Sequence, residues 1–361
     1  MKTYIKYLSI CIFLTFMSCQ KNMHTPDKPY SEGGLISFST HVETKAPIIR
    51  DLYGKHFGVY GYNFSNLTNW GTAKTTATPN VFYQLDVTCN TDGACKYSVD
   101  SDSDINGLEQ WELNKRYAFF AYYPYNKTNN YTQSGNTVID DPYIEYTLPI
   151  SNNSSVDPDY LLDVMTAKST DYLATQGTIV RFNFYHRLFC IDLEGQNFNT
   201  NPVNISDLSM TISGIHYDKV RVYMDRDRTV YDENLKQNIS QPSIPTKSNN
   251  WAVTSKVTFP IIGENGMDLY IADDIVSLSG DKNIVLIPQD SSLDGATGLT
   301  IEVKFKKDGA QNFTTRQSTF NINFEEGHKY TLTLNFIGDD VILVATEAAT
   351  WDSANVNHTF D

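Results

Sequence analysis

The 361-residue sequence predicts an all-β protein made of packed antiparallel sheets, arranged as two sandwiches in tandem. Three observations lead there. The chain holds 23 tyrosines and 19 phenylalanines beside plentiful Val, Ile and Thr, side chains that suit a pleated, half-buried surface. Short apolar–polar alternations recur, separated by turn clusters such as "ENG", "SGD", "KDGAQ" and "EEGHK". No stretch sustains a long apolar stripe at helical spacing. The roughly 340 residues past the leader exceed what one core usually holds, so two units are expected.

In chain order, residues 1–18 read as an export signal. Lys2 and Lys6 precede the apolar run Tyr7–Met17, which is about half of the ~20 residues needed to cross a bilayer. Small Ser18 and then Cys19 stand where the signal would be cleaved. The arrangement resembles a bacterial lipoprotein signal, with cleavage between Ser18 and Cys19 and lipidation of Cys19. An ordinary secretory signal with an incidental cysteine is the alternative. Residues 19–34, polar and containing Pro, Gly and Lys, form a tether.

Residues 35–172 are assigned to the first sandwich. Its opening strand, "LISFSTHVET", places Ile36, Phe38 and Val42 on one face and Ser37, Ser39, His41 and Glu43 on the other. "HFGVYGYNF", "YAFFAYYPY" and "YIEYTLPI" follow as strands. The border is set in the polar segment "AKSTDYLATQG", residues 167–177, and residues 173–361 form the second sandwich. There "TIVRFNFYHRLFCIDLE", "LSMTISGIHY", "WAVTSKVTFPII", "NIVLIPQ", "TIEVKFKK", "STFNINFEEGHKYTLTLNFIG" and "DVILVAT" read as strands. Cys89 and Cys95, in "CNTDGAC", could close a disulfide in an oxidising compartment or remain two thiols. Cys190 reads as a small buried hydrophobe.

Charge and motifs narrow the function. The formal charge is −14, and loss of Lys2 and Lys6 with the signal makes it −16, which argues against binding nucleic acid through its phosphates. HExxH, GxSxG, CxxC and glycine-rich phosphate loops are all missing, so neither enzyme chemistry nor a cofactor or metal is expected. "SGDK", from Ser279 to Lys282, sits in a turn before a strand, where SxxK spacing does not bring the lysine onto the serine. Asp100, Asp102 and Asp104 have calcium-loop spacing, but Ile105 and Trp111 stand where Gly and Glu are required, so a solvated acidic turn is expected. His186 alternates with Phe182 and Phe184 and reads as a core histidine bonded to backbone. The triplets at Asn66, Asn126, Asn204 and Asn312 read as polar surface.

The segments "FFAYYPY" (119–125), "DPDYLLDVMTAK" (157–168), "VRFNFYHRLFCIDLEG" (180–195), "ISDLSMTISGI" (205–215), "NIVLIPQ" (283–289) and "YTLTLNF" (330–336) occur in an order that resembles the fimbrillin-like proteins, subunits of type V pili. That resemblance implies two transthyretin-like sandwiches, export as an outer-membrane lipoprotein, and polymerisation into a surface fibre that serves adhesion. It implies other pilus subunits as partners, the outer membrane through the lipid, and a ligand on a host or bacterial surface. It also makes His186 a structural mark of the second unit's first strand. In such proteins a trypsin-like protease cuts after a basic residue and removes the first strand. Here the cut would follow Lys45 or Arg50 and release the strand bearing Ile36, Phe38 and Val42. An emptied sandwich exposes apolar core and unpaired backbone, which a strand from another subunit fills head to tail. The candidate donor is the C-terminal strand, presenting Val341, Leu343 and Ala345 or, on its other face, Ile342 and Val344; an ordinary closing strand of the second sandwich reads the same. The competing reading is a surface lipoprotein that does not polymerise, and that binds glycan or anchors a pilus base.

Overall fold

The computed structural model describes residues 35–42, 52, 54–90, 94–97, 109–125, 131–134, 142–174, 179–215, 217–225, 227, 229–232, 235–240, 243–247, 256–270, 275–280, 282, 284–289 and 298–346. The protein is all-β. First come β1 (Ser37–Val42), β2 (His56–Ser65), β3 (Phe82–Cys89), β4 (Ala94–Tyr97) and β5 (Lys115–Tyr123), with the one-turn helix α1 (Trp70–Ala73) between β2 and β3. β6 (Tyr131–Ser134), β7 (Tyr143–Thr147), β8 (Ser154–Ser155), β9 (Met165–Leu173) and β10 (Ile179–His186) follow.

Where an open sandwich is expected, seven of these strands close into a barrel, in the order β1-β10-β9-β5-β2-β3-β4 with β4 returning to β1. Alternation fills it. Phe57 and Val59 of β2, Tyr117 and Phe119 of β5, and Val180, Phe182 and Phe184 of β10 point inward to one core. The intervening Tyr60, Tyr62, Phe120 and Tyr122 belong to a second, larger core outside the barrel. "YAFFAYY" is therefore apolar on both faces because both are covered. Gly58 serves the outer face: a Cβ there would stand 2.1 Å from Tyr122 Cζ.

The chain leaves the barrel at Arg187 and continues as β11 (Phe189–Asn197), β12 (Val203–Ser213), β13 (Tyr217–Tyr223), β14 (Thr229–Asp232), β15 (Gln237–Ser240), β16 (Ser243–Lys247) and β17 (Lys256–Ile262). β18 (Met267–Leu269), β19 (Val276–Ser277), β20 (Ile284–Leu286), β21 (Leu299–Lys307), β22 (Thr314–Phe320), β23 (Lys329–Ile337) and β24 (Asp340–Thr346) complete it. One sheet runs β22-β21-β12-β17-β8, and a second runs β19-β11-β23-β24. Their inner faces share a core, with Phe305 edge-on to Phe336 at 5.8 Å. A third sheet, β16-β13-β7-β6, contributes Ile144, Tyr146, Val220 and Val222 to that same core.

Three details differ from the sequence reading. The sheets are not purely antiparallel: β1–β10, β11–β23 and β8–β17 pair in parallel, which is open to strands brought together by long connections rather than hairpins. The segment set as a border holds most of β9, whose polar Ser169, Thr170 and Asp171 are half-buried and show no apolar alternation. β10, assigned to the second unit, hydrogen-bonds to β1 and β9, and β7 pairs with β13 across the expected border.

Candidate functional site

The strand expected to be displaceable, β1, sits at the seam of the barrel. All six of its residues pair in parallel with β10, from Ser37 opposite Ile179 to Val42 opposite Phe184. On the other side, among the described residues, only Phe38 and Ser39 pair, with Cys95 and Ala94 of β4. Ile36 and Phe38 are 1% and 2% exposed. The Phe38 ring lies 5.6–5.8 Å from those of Phe82, Tyr97, Phe119 and Phe182, stacked on the last and edge-on to the others. The Ile36 amide donates to Glu109 O at 2.9 Å. Tyr97 donates its hydroxyl to Ile36 O at 2.9 Å, and burial pushes this phenol up to about 12. β1 is thus a core strand whose removal would leave β4 and β10 as open edges.

Cys89 and Cys95 oppose each other in the β3–β4 ladder and are joined by a disulfide. β4 is therefore tied to β3 independently of β1. Cys190 is buried in the larger core, where desolvation holds its thiol well above the ordinary range.

The candidate donor strand, β24, pairs antiparallel with β23 at a sheet edge. Val341 is 4% exposed, Leu343 and Ala345 are half-buried against the core, and Ile342, between Val341 and Leu343, is 49% exposed. Facing β24 across the sandwich is the other edge strand, β22. Of its inward positions Thr314, Arg316 and Ser318 are polar and only Phe320, at its end, is apolar, and Arg316 Nε donates to Val341 O between the two sheets. Beyond that contact the seam opens into a groove of about 400 Å³ floored by Ile191, Ile301, Phe320, Leu332 and Leu343.

A buried polar knot lies where the barrel hands over to the sandwich, and sequence reasoning found only one member of it. His186 is 3% exposed, and its Nδ1 lies 3.0 Å from Asp163 Oδ1, so a carboxylate stands where a backbone partner was expected. Arg187, 1% exposed, donates to Thr166 Oγ1 at 2.6 Å, Glu326 Oε1 at 2.9 Å and Tyr223 O at 3.3 Å. It thereby joins β9, β13 and the turn before β23. A charged residue inside "YHRLFCI" was the signal that could have found it. Ser279 of "SGDK" is buried and donates to Asp192 Oδ1 at 2.5 Å, whereas Lys282 stands 3.9 Å from Asp157. Ser18, Cys19, Lys45, Arg50, Asp100, Asp102 and Asp104 lie outside the described residues.

A family model described as fimbrillin-like matches residues 54–351. The chain belongs to the fimbrillin-like family. Among solved structures, a candidate cell adhesion protein from Bacteroides ovatus is 15% identical, with 90% of this chain and all of that one covered at a TM-score of 0.53, which shows a shared fold. A candidate cell adhesion protein from Bacteroides uniformis is 14% identical, covering 89% of this chain and all of its own, at a TM-score of 0.46. No curated protein matches the sequence.

Proposed function

We propose that this protein is a structural subunit of a type V pilus, exported as an outer-membrane lipoprotein through Cys19 and polymerised by protease-assisted strand exchange into a fibre that serves adhesion. Family membership supports a pilus-related role at the cell surface. We read the barrel as the first of two transthyretin-like units, with β1 joining edges that a sandwich would leave apart, and the β11–β24 sheets as the second. Its partners are further subunits, the outer membrane through the lipid, and a ligand on a host or bacterial surface.

The observation that carries this reading is the position of β1. It is the seam of a closed barrel, it fills the core with Ile36 and Phe38, and the chain between it and β2 contains Lys45 and Arg50. Cutting there would free a strand whose loss leaves an apolar slot between β10 and β4. β24 is the candidate to fill that slot in a neighbouring subunit. Low-dose trypsin on the mature protein should produce SDS-resistant ladders, whereas Lys45→Ala, Arg50→Ala should stay monomeric. Clean cleavage at high concentration without multimers would refute a polymerising subunit and leave an anchoring lipoprotein.

A further inference from the structure

The groove between β22 and β24 is an unfilled part of a core. Its floor is apolar, and none of the side chains lining it is charged. The cause is local. β22 offers the interior Thr314, Arg316 and Ser318 where β21, its neighbour, offers Ile301, Val303 and Phe305. Among the described residues β22 pairs only with β21 and β24 only with β23, so both strands turn an open edge toward this seam. An open apolar seam flanked by two edges is a poor end state for a sandwich, because its lining loses contacts and its edges invite pairing.

We propose that the segment following β24, residues 347–361, folds back into this groove within its own chain, with Trp351 as the anchor. The groove wall includes Leu343, Val344 and Ala345, so the chain leaves β24 at the groove's mouth. Trp351 lies five positions after Thr346, a reach of up to about 17 Å at ~3.3–3.6 Å each. Around Trp351 the segment is small or polar, "EAATWDSAN", so the indole is the group with apolar area to bury there. Its N–H can meet the rim of Ser318, Thr319 and Asn321. The family match also runs as far as residue 351. This inference is independent of polymerisation: it concerns how the second sandwich is completed in a single chain.

The test places benzoylphenylalanine at position 351 of the full chain, irradiates at low concentration and maps the cross-links by peptide mass spectrometry. The expected product is monomeric, with links to residues 318–324, 330–332 or 343–345. Links confined to a dimer band would overturn the proposal in favour of a second copy, and links elsewhere or none would overturn it outright. As a second readout, Trp351→Ala should raise binding of an apolar dye severalfold while Trp351→Phe largely restores the parent signal. Equal dye binding by all three proteins would refute Trp351 as the anchor.

Discussion

Replacing Phe38 with alanine removes the largest side chain that β1 contributes to the barrel. Its ring is 2% exposed and meets four aromatic rings at 5.6–5.8 Å. Core Phe→Ala changes cost about 3–5 kcal/mol, and aromatic pairs add ~0.5–1.5 kcal/mol each beyond area. Those ring contacts are already contained in the measured Phe→Ala range, so with four of them the expected loss lies at its upper end, ~4–5 kcal/mol, against a typical total stability of about 5–15 kcal/mol. Urea unfolding followed by near-ultraviolet circular dichroism should show the midpoint falling with little change in slope, because the surface exposed on unfolding is nearly unchanged. Ser37→Ala, at a half-buried position between Ile36 and Phe38, should stay within ~0.5 kcal/mol of the parent. The Phe38→Ala protein should also lose β1 faster once the chain is cut, since the strand then holds the slot mainly through Ile36 and backbone pairing. A loss below ~1 kcal/mol would refute the idea that β1 is a core strand in solution.

Arg187→Leu should destabilise the chain by about 3 kcal/mol, the lower end for a broken buried pair, because Glu326 keeps 28% side-chain exposure and can recover water. Arg187→Lys should rescue little, since one ammonium cannot reproduce the three-way fork, and thermal unfolding of both variants checks this. Reducing Cys89–Cys95, six positions apart, should cost roughly 2 kcal/mol by the loop-entropy relation, measured as the shift in urea midpoint with reductant. Cys190 should resist a thiol reagent at pH 8 until the chain unfolds, and rapid native labelling would contradict its burial. Tyr97 and Tyr123 are pushed up to about 12 chiefly by burial, above the unfolded value near 10. Their neutral forms therefore support the fold fully below pH ~10, and that support is lost as pH rises from ~10 through about 12. Absorbance titration at alkaline pH should show late-ionising phenols only before unfolding.

What the sequence conveyed well was local. The alternation of "LISFSTHVET" set Ile36 and Phe38 on one face, and both are buried in the barrel. "KYTLTLNFI" and "LTIEVKFKK" are long strands with the inward residues their period implies. What it concealed depends on partners far away in the chain. "FYQLDVTC" became β3 although Gln84 and Asp86 interrupt its outward face, because Phe82, Leu85 and Val87 suffice to fill the barrel. Nothing local tells β1 to pair with β10, so barrel closure was not legible. "MTAKSTDYL" looked like a linker because β9 is half-exposed along its polar part, while its pairing with β5 supplies the order its side chains do not. Arg187 was missed for a similar reason: its acceptors come from three separate elements.

The proposed exchange comes down to a comparison between two strands. β1 pairs on both sides and buries Ile36 and Phe38 almost completely. β24 pairs with β23 alone among the described residues, and only Val341 of its inward side chains is fully buried. Lifting β24 from its own edge therefore uncovers less apolar surface than seating it in the vacated slot would cover. While β1 remains, the slot prefers it: a leucine at the Phe38 position leaves a void, and voids cost about 24 cal/mol per Å³. Once β1 is cut and lost, the competitor is gone, and Leu343, half-buried on its own edge, would gain part of the ~1.5–3 kcal/mol that full burial of such a side chain is worth. Ladder bonds given up to β23 are remade with β10 and β4, so they nearly cancel. In the proposed exchange the cut would thus turn an uphill replacement into a downhill one, and the disulfide on β4 would keep one wall of the slot in place while it stood empty.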